Sequence, residues 1–462
     1  MNPHHHGRST PECPAFSDRT PLYGAALARD PSHLYEESRR RYGAVAPVEI
    51  APGIGAWLVL GHQEVLELIW DERAFSSDAR HWNALGRAVL PAEPPLLPLL
   101  GPRPALLRLD GQEHRRQRQA VTQALNLIDT RRLRTLVRLR ADALVDGWAA
   151  RGAADLIGDY ARPLTWGVFT QLVGLPEEAG GQLATLVGDL VDGSDEATRE
   201  ATRSEAELLS LLRQLTTGKR ATPGPDLPSW LLAHPARLSD DEITHNLLAV
   251  LLTGPESTIS WIGNTVRQLL RDAGLGAALA AGRVTVGELA DRALWSDAPV
   301  PNIAGRWARA DTAFAGRSVR AGDLLIPCLA AANTDPALQS AAASGSRAHL
   351  AWGTGAHGCP AKDVARTLVE TAVDAMLRRQ PEVHLGVPEN ALPWRPSLWC
   401  GAPARLPVVF PAFPPAAPTA SAAPATYAAV TVMPVPDRSP GDRAVAGMPP
   451  QRWGWWNSMA GW

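Results

Sequence analysis

The stretch WGTGAHGCPAKDVAR, residues 352–366, gathers three glycines, a histidine and a cysteine into seven consecutive positions, 353–359. Pro360 follows the cysteine, and a run of helical period continues through AKDVARTLVETAVDAMLRR. Proline is favoured in the first turn of a helix, where its missing N–H costs nothing. Cys359 is therefore expected at a helix N-terminus, where unpaired amides and the macrodipole favour an anion. A thiolate of depressed pKa is expected there, acting as a nucleophile or as a metal ligand. Gly353, Gly355 and Gly358 permit positive φ and the close approach of something flat and bulky. Taken singly, Cys359 reads more readily as a buried cysteine at a glycine-rich turn.

Other residues carry chemistry elsewhere. In LLTGPESTISWIGN, residues 251–264, Glu256 adjoins Ser257. A carboxylate beside a hydroxyl suits a proton relay; alone, TGPE is also a helix start with Pro255 in its first turn. In LDGQEHRRQRQAV, His114 and Arg118 stand four apart and share a helical face. Arg306 lies in GRWARAD. The cysteines Cys13, Cys328, Cys359 and Cys400 are widely spread with no CxxC, which argues against zinc spacing and a disulfide framework. The triple histidine at 4–6 reads as a solvated terminal tract.

Together these stretches resemble the cytochrome P-450 family. WGTGAHGCPA is similar to its haem loop FGxGxHxCxG, with Gly353, Gly355, His357 and Cys359 in register and Trp352 in place of the phenylalanine. The resemblance spans roughly residues 20–411. It implies haem b (iron protoporphyrin IX) with Cys359 as axial thiolate, the ligation of that family. It also implies His114, Arg118, Arg306 and His357 as partners of the haem propionates, because forked guanidinium donors and imidazole N–H groups suit carboxylates. Trp352 would pack near the thiolate, its indole N–H donating to the sulfur. Glu256 and Ser257 fall on the acid–alcohol pair that delivers protons to bound O2, and Pro255 would open the helix at that point.

The implied activity is monooxygenation: O2 is activated and one oxygen atom enters a bulky apolar small molecule, in secondary metabolism. Electrons would come from a ferredoxin and its reductase, with Arg115, Arg116 and Lys362 as candidate footprint. The pocket is expected from residues 81–103, 246–253, 300–304 and 397–400. One departure bears on turnover. The family's ExxR helix reads DRALWSDAPV here, residues 291–300, with Arg292 where the glutamate belongs and Trp295 where the arginine belongs. The shortened SAAASGSRAHL implies loss of the arginine that would join that pair. A group of actinobacterial members carries tryptophan in the same way, and this chain resembles it. The competing expectation is a haem-binding relative of impaired turnover, acting in binding, sensing or a complex.

The elements that must hold these residues are mostly helical. Helical periods cover 112–127, 129–150, 153–174, 178–193, 198–216 and 239–271. VAPVEIAPGIGAWLVLG reads as a hairpin, DLLIPCLAAAN and PVVF as strands, and 81–108 as a long loop. The fold class is mainly α with minor β (α+β). Three segments are expected: a disordered tail 1–19, the haem-thiolate domain 20–411, and a Pro/Ala-rich disordered tail 412–462. The last twelve residues of that tail hold four of the chain's 16 tryptophans, enough to suggest docking or folding back. Over 462 residues, 45 basic side chains meet 47 acidic ones, a formal charge of −2. That balance opposes nucleic-acid binding through a strong basic field. No apolar run approaches the ~18 residues of a membrane span, and the start lacks a secretory pattern. A cytoplasmic location is expected.

Overall fold

The computed structural model describes residues 19–27, 30–86, 97–192, 195–338 and 346–412. Both expected tails fall outside that set, apart from residues 19 and 412. The helical periods become the helices Gly111–Leu125, Thr130–Trp148, Arg162–Leu172, Ala179–Val191, Asp195–Ala221 and Asp240–Arg271. The expected helix over 153–174 begins instead as a strand, Ala153–Asp155, and a wide turn, Leu156–Ala161. That strand pairs with Pro407–Val409, a long-range partner that local periodicity does not reveal.

The long helix Asp240–Arg271 has a capping box, Ser239 with Glu242, which satisfies two orphan amides and adds about 1 kcal/mol. Ile243, Leu247, Leu251, Ile259, Ile262 and Val266 repeat at helical spacing and are buried. They join this helix to a core shared with Thr130–Trp148, Arg162–Leu172 and the helix Lys362–Arg379. No helix among the described residues is long and apolar enough to cross a membrane.

A six-stranded sheet packs a second core. Its order is Thr20–Pro21, Val45–Ala51, Ile54–Val59, Leu324–Pro327, Arg306–Ala308, Phe75–Ser76. The hairpin read from the sequence is the antiparallel pair Val45–Ala51 and Ile54–Val59. Arg306 pairs in register with Leu325 at the end of its strand, so the sheet fixes where its side chain starts. The segment 81–108 is less irregular than expected: short helical turns occur at Ala79–His81, Asn83–Gly86, Leu97–Leu100 and Leu106–Arg108, while 87–96 lie outside the described residues.

Candidate functional site

Cys359 lies just ahead of its helix, which begins at Lys362, so Pro360 and Ala361 form a turn instead of the first helical residues. The Cys359 N–H donates to the Trp352 carbonyl at 2.8 Å. The Ala361 N–H donates to Sγ at 3.4 Å, so the donor to the sulfur is backbone; the indole of Trp352 instead meets Trp261 edge-on, with ring centroids 5.1 Å apart. Gly353 and Gly355 both take φ 64°, which a side chain would strain, whereas Gly358 at φ −56° needs no glycine on that account. Burial pushes the Cys359 thiol up from its ordinary value, against the Ala361 N–H, Arg118 and Lys362, which all lower it. The depressed value expected from the helix terminus alone is not reached. Desolvation outweighs the terminus and both cations.

A cavity of about 170 Å³ separates this loop from the long helix. Leu252, Thr253, Glu256 and Ser257 line one side, and Gly353, Thr354 and His357 the other. Val300, Ile303, Ala304, Leu99, Trp399 and Cys400 complete an apolar wall within the segments expected from the sequence. Ile69, Arg108 and Val191 also line it and were not anticipated. Arg108 and Val191 carry no motif, so only proximity in space reveals them.

Basic groups converge near the His357 end. Helix Gly111–Leu125 presents His114 and Arg118 on one face, as their spacing predicts. Arg118 donates to the Gly358 carbonyl, tying that helix to the residue before the cysteine. The rings of His114 and His357 stack with centroids 4.0 Å apart, and His357 Nε2 meets the Ser77 hydroxyl at 3.1 Å. Burial, then neighbouring cations, lowers His114 to about 4 and His357 to about 2. Both imidazoles are therefore neutral at neutral pH, which permits the stack. Arg306, 4% exposed, donates to the Gly305 carbonyl at 3.1 Å, and burial pulls it down to about 10. The Nε2 of His114 is buried without a hydrogen-bond partner.

A flat dianion fits this arrangement. Buried cations and an orphaned ring nitrogen each cost free energy unless an anionic acceptor reaches them. The described residues contain no cluster of three or more His, Cys, Asp or Glu side chains able to hold a bare metal ion. A metal carried in a planar carboxylate-bearing macrocycle needs only one protein ligand, and Cys359 is available for it.

Glu256 is clamped. Its carboxylate, 1% exposed, pairs with Arg162 at 2.9 Å and also with Arg395. No motif marks either partner, and both lie over ninety positions away. Ser257 Oγ donates to the Thr253 carbonyl at 2.6 Å and the Gly254 carbonyl at 2.9 Å. Pro255 sits inside a continuous helix, not at its start, and its lost N–H deprives the Leu251 carbonyl of the usual donor. Gly254 packs so closely on Phe169 that a Cβ there would stand 2.6 Å from the ring. Among the expected surface cations, Arg115 and Lys362 are exposed, whereas Arg116 pairs with Glu113 and Glu242.

Behind the loop, helix Val286–Ser296 departs from the expected substitution. Arg292 is exposed, and the buried acid is its neighbour Asp291. Asp291 pairs with Arg347 at 2.9 Å and with Arg366 of the cysteine helix. An arginine of the shortened SAAASGSRAHL segment thus does reach this helix. The Trp295 indole donates to the Ser346 carbonyl at 2.6 Å and meets His349 edge-on. Arg366 in turn lies 5.9 Å over the Trp261 ring, which contacts Trp352.

No family model matches the chain. Curated relatives do. It is 31% identical over 356 residues to cytochrome P450-SU2 of Streptomyces griseolus, covering 74% of this chain and 85% of that protein. To the nocardicin C N-oxygenase of Nocardia uniformis subsp. tsuyamanensis it is 30% identical over 401 residues, covering 84% and 98%. Among solved structures, CYP154C4 from Streptomyces sp. W2061 superposes with a TM-score of 0.78 at 27% identity, over 85% of this chain and 98% of the other.

Proposed function

The chain belongs to the cytochrome P450 family, and from that premise we propose that it inserts one oxygen atom into a bulky, largely apolar small molecule of secondary metabolism, with electrons from a ferredoxin and its reductase. It is a haem b monooxygenase with O2 as co-substrate. The observation that carries the reading is the cavity of about 170 Å³ between the Cys359 loop and the Glu256–Ser257 turn. Its walls are apolar while its His357 end is basic. The nocardicin C N-oxygenase acts, by its name, on a specialised metabolite, which supports a specialised substrate.

In this reading Cys359 Sγ would ligate the haem iron, and the haem, when bound, would supply O2 binding and activation. Arg118, Arg306, His114 and His357 hold the propionates. The Trp352 carbonyl, through the Cys359 N–H, and the Ala361 N–H, on Sγ, fix the ligand atom. The Leu252–Ser257 turn excludes bulk water from the far side. Ser257 Oγ passes a proton inward by leaving its Thr253 and Gly254 carbonyl acceptors. Glu256, buried and held by Arg162 and Arg395, is the adjacent carboxyl group from which Ser257 would recover that proton. Asp291, Arg366, Trp261 and Trp352 brace the loop in place of the ExxR ion pair.

The reduced protein with carbon monoxide tests the reading: a difference band near 450 nm is the property that names the family. Ferredoxin-dependent NADPH use should accompany it. Protein that stays colourless under ample haem supply would refute the proposal.

A further inference from the structure

We propose that Arg108 is a carboxylate-binding residue of the cavity, an inference that rests on the haem monooxygenase reading above. Arg108 closes the short turn Leu106–Arg108, lines the cavity and is 5% exposed. Its Nη1 donates to the carbonyls of Ala304 at 2.8 Å and Leu107 at 3.3 Å, and its Nη2 to that of Leu99. The guanidinium lies 5.4 Å over the Trp307 ring.

Three carbonyls account for three of a guanidinium's five N–H donors. Two remain, which is the number one carboxylate accepts from the arginine fork. The charges bearing on Arg108 are Arg306 and Arg103, both cations, and among the described residues no carboxylate pairs with it. Carbonyl dipoles and an indole face solvate a cation only in part. A buried charge without a counter-ion carries a penalty of several kcal/mol, which an incoming carboxylate relieves. Arg103 does not compete, since it pairs with Glu205.

The carboxylate has two sources, a propionate of the porphyrin or an acid group on the substrate. The wall around Arg108 allows either: Arg306 and His357 line the same cavity, and so do the apolar Leu99, Leu107 and Ala304. No motif marks position 108.

The test uses the full chain and the variants Arg108→Gln and Arg108→Lys. One measurement is the rate of haem transfer from the holoprotein to excess apomyoglobin. The other is calorimetric affinity for dodecanoic acid against methyl dodecanoate, whose ratio cancels any general loss of stability. If the porphyrin is the source, Arg108→Gln releases haem about tenfold faster or more, as loss of a charged hydrogen bond implies, with Arg108→Lys between. If the substrate is the source, haem release is unchanged, while the wild type prefers the acid about tenfold or more and Arg108→Gln loses that preference. Should Arg108→Gln not fold, Arg108→Lys and the wild-type acid–ester ratio still decide. Unchanged haem release together with no acid preference overturns the proposal and leaves Arg108 a staple of three loops. A wild type without a Soret band refutes the haem reading separately, and the calorimetric arm then decides Arg108 alone.

Discussion

Glu256 lines the cavity, and Cys359 follows the loop residues Gly353, Thr354 and His357 that line its other side. Burial raises the thiol against the opposing pull of Arg118 and Lys362, so its anionic form needs a closer cation, such as a metal bound to the sulfur. Cys359→Ser should keep the fold, because one atom of similar size changes, yet abolish the 450 nm band. A retained band in the reduced carbon monoxide spectrum would remove Cys359 as ligand. Glu256 already has two arginines, so its charge is compensated inside the fold. Glu256→Gln leaves Arg162 and Arg395 short of a counter-charge and should cost about 3 kcal/mol in urea unfolding. Ser257→Ala removes two bonds to carbonyls of its own helix and little packing. It should leave haem content unchanged while diverting O2 consumption to peroxide, read as the ratio of peroxide to product.

At the scale of elements, the interest lies where helix Val286–Ser296 meets the cysteine helix. Asp291, Arg347 and Arg366 supply the charges, and Trp295 supplies a donor to the Ser346 carbonyl. Trp295→Phe keeps most of the apolar contact and loses the donor, so it should cost about 1 kcal/mol. His349 closes the same junction with its ring against Trp295, facing Asp291, Arg366 and Lys362. Burial lowers His349 from 6.5 to about 4. The unfolded chain therefore binds a proton below pH 6.5 that the folded chain refuses until about pH 4. This contribution to stability is complete above pH 6.5 and is lost as pH falls toward 4, up to about 3 kcal/mol in all. His349→Phe should flatten the stability profile across that window; an unaltered slope would mean that the ring titrates normally.

For the molecule as a whole, a buried basic cluster and a large cavity both destabilise the haem-free chain. Cations crowd at Arg108, Arg118 and Arg306, and the cavity wall loses packing contacts. Haem binds the folded chain and offsets both, so loading should raise the melting temperature with the logarithm of free haem. Linkage gives about 4 kcal/mol at a thousandfold excess over Kd. Equal melting of stripped and loaded protein by calorimetry would contradict this.

The sequence by itself determined the helical body and the ligand loop. Helices such as Gly111–Leu125 and Asp240–Arg271 have local causes, a 3.6-residue period in both and a capping box in the second, that survive without their neighbours. His114 and Arg118 share a face for the same reason, and the spacing of Gly353, Gly355, His357 and Cys359 speaks for itself. Tertiary structure alone decided the strand Ala153–Asp155, whose partner lies some 250 positions away. It alone clamped Glu256 between Arg162 and Arg395, made Asp291 rather than Arg292 the buried acid, and turned Arg108 into the cavity. Charge pairing and burial are set by which surfaces meet after the chain closes on itself, and no periodicity in the amino-acid order encodes such meetings.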